Sequence, residues 1–184
     1  MFAVLFGGVT ALLPIYAAEI LHVGPQGLGW LRAAPAFGAI LMGSALIRKP
    51  IGKRAGSALL ASVLGYGICI LVFAVSKNYI LSLGVLALSG ALDSVSMVVR
   101  GAIVQLCSPE NMRGRIAAVN SIFIGSSNEI GEFESGTAAK LFGTVPSVIF
   151  GGMMTVVTVG IVFWKAKELR NLDLQSLESV QSKG

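Results

Sequence analysis

The chain has 184 residues, of which 54% are hydrophobic and 12% are charged, and its mean hydropathy is +0.80. This composition is typical of membrane proteins and argues against a soluble globular or a disordered chain. The net charge of +5 does not indicate nucleic-acid binding, because the basic residues lie in short loops between apolar segments. The two cysteines lack the spacing of a disulfide framework or a zinc site, so neither is predicted.

Six apolar segments follow one another along the chain. A hydrocarbon core about 30 Å thick requires about 20 mostly apolar residues per helix, and the short alternating segments of a barrel are not seen. The sequence therefore predicts an all-α membrane protein with a six-helix transmembrane module over residues 1–166 and a polar cytoplasmic tail at 167–184. The predicted spans are residues 2–21, 28–47, 57–75, 80–99, 116–138 and 145–164.

The first two spans contain features that affect helix shape and packing. Pro14 removes one backbone hydrogen bond and is expected to bend the first span. In the second span, Ala34 and Gly38 are small residues four apart, which predicts close packing against another helix. Arg32 lies about one turn inside this span. It either extends to the outer headgroups or lines a cavity, where it meets a carboxylate or an anionic substrate.

The loop after the second span and the fourth span both contain charged residues. The third span contains no charged residue and is interpreted as scaffold. The loop after the second span contains Arg48, Lys53 and Arg54, which we interpret as determinants of topology. Asp93 lies inside the fourth span, and Arg100 follows seven residues later on the same face. Two turns separate them, so two arrangements stay open: Arg100 bends back and pairs with Asp93 directly, or another helix holds Asp93.

The loop cations are distributed unequally between the two sides of the membrane. One side receives little beyond Lys77 and Lys140. By the positive-inside rule, both termini are predicted to be cytoplasmic. The cations on the predicted cytoplasmic side are Arg48, Lys49, Lys53, Arg54, Arg100, Arg113, Arg115, Lys165, Lys167 and Arg170.

The fifth span contains several polar side chains. Asn128, Glu129 and Glu132 are separated by three or four residues and share a helix face. A rise of about 1.5 Å per residue puts Glu129 near mid-membrane and Glu132 at about the depth of Arg32. Asn120 lies in the cytoplasmic half of the same span.

Carboxylates at these depths need an explanation. A charge in the membrane costs several kcal/mol, so it is expected to face a protein interior or a water-filled cavity. Buried carboxylates also take up protons more readily, which proton coupling requires. Two interpretations stay open: Glu129 handles protons or substrate, or Glu132 and Arg32 form an ion pair that only stabilises packing. Asp93 and Asn120 are expected to form a polar cluster near an inner gate.

The residues from Pro109 through Met112–Arg115, followed by Asn120–Ser121 and Asn128–Phe133, carry a family resemblance. They resemble the loop between helices ten and eleven, and helix eleven itself, in the major facilitator superfamily. The most similar branch is that of the bacterial drug and siderophore exporters that include the enterobactin exporter. A looser resemblance over residues 1–170 matches the C-terminal six helices of such a twelve-helix transporter.

This resemblance implies half of a major-facilitator fold in the bacterial inner membrane. It implies a proton-driven antiporter that exports small organic molecules by alternating access between two six-helix halves, without cofactor or metal. The predicted partners are the lipid bilayer, a small-molecule substrate, and either a missing N-terminal half or a second copy of this chain. From their depth, spacing and charge, we predict that the substrate and proton pathway consists of Arg32, Asp93, Asn120, Asn128, Glu129 and Glu132. The predicted cytoplasmic loop or gate residues are Arg48, Lys53, Arg54, Arg113 and Arg115.

Two alternatives to transport stay open. In the first alternative, the chain is a membrane interaction or assembly protein that transports nothing. In the second, it is an inactive fragment of a transporter. An enzyme is not predicted, since no Ser/His/Asp set, metal cluster or Gly-rich phosphate loop occurs in the sequence.

Overall fold

The computed structural model describes residues 2–48, 55–108 and 110–165, so Lys53, Arg54 and the predicted tail 167–184 lie outside the described residues. The described residues are all helix and short connection, without strands, which confirms the all-α prediction. A π-helical turn, Tyr16–Ile20, follows the first helix, and a 3-10 turn, Glu110–Met112, precedes the fifth. The six α-helices are α1 Phe2–Ile15, α2 Pro25–Arg48, α3 Ala55–Val75, α4 Tyr79–Cys107, α5 Arg113–Phe142 and α6 Thr144–Lys165.

Four of these helices, α2, α3, α4 and α6, are long and apolar enough to cross a membrane. The apolar part of the first helical segment, Val9–Ile20, is shorter. Helix α5 is not among the four, although its 30 residues correspond to about 45 Å. Helix α5 therefore differs from the four candidate spans in its polar content and not in its length. The arrangement of six spans stays a prediction.

Helix α4 lies centrally, with α2 packed against it on one side and α3 on another, while α6 packs on α3 and α1 packs on α5. Helix α5 is largely exposed, and Gly131 is its one buried residue among those described. The main core is therefore built by the other five helices. Its most buried side chains are Leu12, Leu13, Tyr16, Leu31, Phe73, Leu86 and Val148.

The backbones of α2 and α4 touch at two glycines. A Cβ atom on Gly38 would lie 1.7 Å from the carbonyl oxygen of Ala87, and one on Gly90 would lie 2.0 Å from that of Pro35. No side chain fits at either position, because backbone atoms of the neighbouring helix occupy the space. The close packing predicted at Gly38 is therefore confirmed, and α4 supplies a second glycine to the contact.

Tyr16 connects the end of the first helix to the end of α3. The π-helical turn begins two residues after Pro14, where the sequence predicts a bend. The buried Tyr16 hydroxyl donates to the carbonyl of Phe73 at 3.0 Å and also contacts that of Ala74. The Tyr16 and Phe73 rings lie 4.5 Å apart between centroids. Tyr16 thus satisfies carbonyls in the last turn of α3, which have no partners within that helix.

We expect Gly90→Ala to destabilise the protein by about 3 kcal/mol, since the added methyl group meets the backbone of α2 and forces the helices apart. Thermal unfolding in detergent measures the effect. Gly84→Ala is the matched control on the same helix, because a Cβ atom there meets nothing within 4 Å. Equal melting temperatures for the two variants would contradict the backbone contact.

We expect Tyr16→Phe to destabilise the protein by about 1–3 kcal/mol, because it removes the hydroxyl that donates at the end of α3. The Phe73 carbonyl keeps the N–H of Ser76 as a donor, so the buried Ala74 carbonyl is the group most affected. Tyr79→Phe is the control: its hydroxyl donates to the Gly27 carbonyl at 3.4 Å in a partly buried position, so its loss costs less. Chemical or thermal unfolding of both variants gives the comparison. A larger effect for Tyr79→Phe would show that Tyr16 does not anchor α3.

Candidate functional site

A cavity of about 270 Å³ lies between helices α1 to α5. Four charged side chains line it: Arg32 from α2, Asp93 and Arg100 from α4, and Glu132 from α5. Asn128 adds an amide. The remaining lining is largely apolar and consists of Val9, Thr10, Leu13, Pro35, Tyr66, Ile70, Leu86, Ser89, Gly90, Met97 and Ile124.

The contact between α2 and α4 places Arg32 and Asp93 along one side of the cavity. The two helices run in parallel, because Gly90 meets Pro35 and the later Ser94 approaches Gly43. Arg32 lies three residues before Pro35, and Asp93 lies three residues after Gly90. The two charges are therefore about two helical turns, or about 9 Å, apart in depth.

Asp93 has its ion-pair partner on its own helix. Arg100 Nη2 lies 3.7 Å from Asp93 Oδ1, and Arg100 Nε donates to the backbone carbonyl of Ser96 at 3.2 Å. Of the two arrangements that the sequence leaves open, the structure therefore shows the one in which Arg100 bends back. The physical reason is that the long Arg100 side chain folds back along α4, and the Ser96 carbonyl, one turn earlier, holds it in that direction.

Arg32 and Glu132 line the same cavity without pairing. Among the described residues, neither side chain has an oppositely charged group within 4.0 Å. Arg32 is exposed and Glu132 is half-buried. The ion pair that the sequence left open between them is thus not formed, and the cavity retains one free cation and one free carboxylate within the part of the chain described.

The other polar residues predicted for the pathway on α5 differ in whether they line this cavity. Asn128 precedes Glu132 by one turn and lines the cavity with it. Glu129 is exposed and does not line it. Asn120 lies about two turns before Asn128 and is also exposed. It does not line the cavity, whereas Asp93 does, so the cavity does not bring these two residues together. The structure thus brings Arg32, Asp93, Asn128 and Glu132 together and leaves Glu129 and Asn120 apart from them.

The residues predicted for the cytoplasmic gate lie at helix ends. Arg113 begins α5 and pairs with Glu110 of the preceding 3-10 turn at 3.6 Å. Arg115 is exposed one half-turn later, and Arg48 is exposed at the end of α2. Lys53 and Arg54 belong to the undescribed part of the α2–α3 connection.

Sequence reasoning did not assign Arg100 or Thr10 to the site, and it missed two further lining residues. Tyr66, only 8% exposed, brings a hydroxyl to the cavity from α3, the span interpreted as scaffold. The signal was one tyrosine between Gly65 and Gly67 in an otherwise apolar segment. Ser89 is the second, and one serine in a membrane helix carries no signal of its own.

A comparison with protein families matches residues 1–183 to the family described as transmembrane secretion effector. Comparisons with curated proteins and with solved structures found no match. The matched range includes every described helix and all residues that line the cavity. The chain therefore belongs to the transmembrane secretion effector family of the major facilitator superfamily, and it is a multi-pass membrane transport protein.

Proposed function

We propose that this chain is one six-helix half of an exporter for small organic molecules of the drug or siderophore class, and that the cavity between α1 and α5 forms one wall of its transport site. The observation that carries the proposal is a cavity in a transport-family protein with two charged side chains that have no ion-pair partner among the described residues. Such groups are expensive in a membrane and mark substrate or ion pathways. The two halves rock about this site in alternating access.

The exposed side of α5 supports a second half. Asn120, Ser121, Ser126 and Glu129 are all exposed on this helix. Lipid tails do not solvate such groups, so protein or a water-filled space must cover them in the membrane. A second six-helix unit, either a separate N-terminal half or another copy of this chain, provides that cover and the opposite wall of the cavity.

Proton coupling is assigned to the carboxylates of α5. Glu132 lines the cavity without an ion-pair partner among the described residues. It is therefore available to exchange a proton for a substrate group. Glu129 lies three residues earlier on the exposed side, where a second half would meet it. In this proposal, inward movement of protons through these carboxylates drives export across the bacterial inner membrane.

The experiment that tests this function measures dye efflux from membrane vesicles under an imposed pH gradient. One set of vesicles contains the chain alone, and another contains it with a co-expressed N-terminal six-helix half of the same family. We expect efflux in at least one set. Efflux from the chain alone identifies a second copy as the partner. Silence in both sets would overturn the proposal and favour an interaction protein or an inactive fragment.

We expect Glu132→Gln to reduce efflux driven by the pH gradient to background, because the amide cannot take up and release a proton. Glu134→Gln is the matched control on the same helix. Glu134 is exposed and lines a separate groove between α5 and α6 with Phe142 and Phe150. Unchanged proton-driven efflux in Glu132→Gln would exclude this carboxylate from coupling.

The proposed orientation puts the α3–α4 turn outside and the α4–α5 turn inside. Lys77→Cys and Glu110→Cys, each in a chain whose two natural cysteines are replaced by alanine, report on these turns. We expect a membrane-impermeant maleimide added to intact cells to label Lys77→Cys, because Lys77 is exposed in the outer turn. Glu110→Cys should react only after permeabilisation, and the reverse pattern would invert the topology.

A further inference from the structure

We propose that the cavity binds a small zwitterion with an apolar body, of the amino-acid or short-peptide class. Its anionic group contacts Arg32 and its cationic group contacts Glu132. This inference rests on the proposed transport site and goes beyond the drug or siderophore class proposed above, because it gives a different chemical class of ligand.

The formal charges of the cavity lining balance one another. Two arginines, Arg32 and Arg100, face two carboxylates, Asp93 and Glu132, so their formal charges sum to zero. An ion with a single charge would bring an uncompensated charge into surroundings of low dielectric, which is unfavourable. A zwitterion adds no net charge to the cavity.

Only two of the four charged side chains form an ion pair with each other. Asp93 and Arg100 already pair with each other on α4. Arg32 and Glu132 come from different helices, and neither has an ion-pair partner among the described residues. A neutral ligand would displace water from both groups without replacing its hydrogen bonds. A ligand with one cationic and one anionic group provides a partner for each.

The chemistry of the two side chains gives the orientation. The planar guanidinium of Arg32 presents paired donors that match a carboxylate. The Glu132 carboxylate accepts hydrogen bonds from an ammonium group. Asn128, one turn earlier on α5, adds an amide that donates or accepts beside it. Each end of the zwitterion therefore meets a group that recognises its charge.

Size and lining define the body of the ligand. A volume of about 270 Å³ lies below the range of about 300–1,000 Å³ that is typical of sites for drug-sized ligands. The wall beside the charged groups includes Leu13, Ile70 and Leu86. An amino acid or dipeptide with apolar side chains matches the part of the site that this chain provides and contacts these residues.

The test uses the full chain in lipid nanodiscs with leucine, phenylalanine and leucyl-leucine as probes. Each probe is compared with its N-acetyl derivative, which keeps only the negative charge, and with its methyl ester, which keeps only the positive charge. We expect at least one zwitterion to bind about tenfold more tightly than both of its capped forms, as the loss of a charge-assisted contact implies. Equal or tighter binding of the capped forms throughout would overturn the inference, as would no binding by any probe.

Variants connect each end of the ligand to its residue. Arg32→Gln should abolish the preference for the zwitterion over the methyl ester and retain the preference over the N-acetyl form. Glu132→Gln should do the opposite. Lys77→Gln and Glu134→Gln are the controls, since neither residue lines the cavity and both preferences should persist. If both cavity variants keep both preferences, the assignment to Arg32 and Glu132 is wrong.

The same preparation separates failure of this inference from failure of the proposed function. Dye efflux without any preference for zwitterions would refute the ligand class and leave the transporter in place. Zwitterion binding that Arg32→Gln and Glu132→Gln alter, in vesicles that export neither dye nor amino acid, would instead identify a binding protein. For a variant that does not fold, the probe series on the unaltered chain decides the ligand class.

Discussion

The backbone contact between α2 and α4 is the constraint on which the cavity depends. Gly38 and Gly90 each meet a carbonyl oxygen of the other helix, so these helices cannot move closer and have no room for a larger residue. Arg32 and Asp93 each lie one turn from this contact. The separation of their Cα positions is therefore set by the packing of the two backbones. A fixed backbone on this wall favours binding, because less of the site has to be ordered by the ligand.

The opposite wall is held differently. Helix α5 packs mainly on α1 and α6 and makes few contacts with α4. Glu132 consequently depends on α1 and α6, whereas Arg32 depends on α4. A displacement of α1 and α5 together would change the distance between the two free charges while the Asp93–Arg100 pair stays intact within α4. The two unpaired charges thus lie on helices, α2 and α5, that pack mainly on other helices and little on each other.

Hydrophobic length was sufficient to predict the helices, but it was not sufficient to predict which polar groups meet. Asp93 and Arg100 are about two helical turns apart along α4. Their charged groups meet only because the Arg100 side chain folds back toward Asp93. Tyr66 was missed because apolar helix surfaces look alike from the sequence until their neighbours are known. Glu129 and Glu132 share a broad face by spacing, yet only Glu132 lines the cavity. At 3.6 residues per turn, Glu129 lies about 100° from Asn128, and Glu132 lies only about 40° from it.

This narrow angle defines a stripe along α5. Ile124, Asn128 and Glu132 recur every four residues and all line the cavity. Asn120 continues the same register toward the predicted cytoplasmic end, about 18 Å from Glu132 along the helix axis. Glu129 lies off this stripe and is exposed, so a different surface must solvate it. One helix therefore offers two polar faces, one toward its own module and one away from it. A helix with both faces is stable in a membrane only where protein or water contacts each side, and the proposed two-walled transport pathway would provide those contacts.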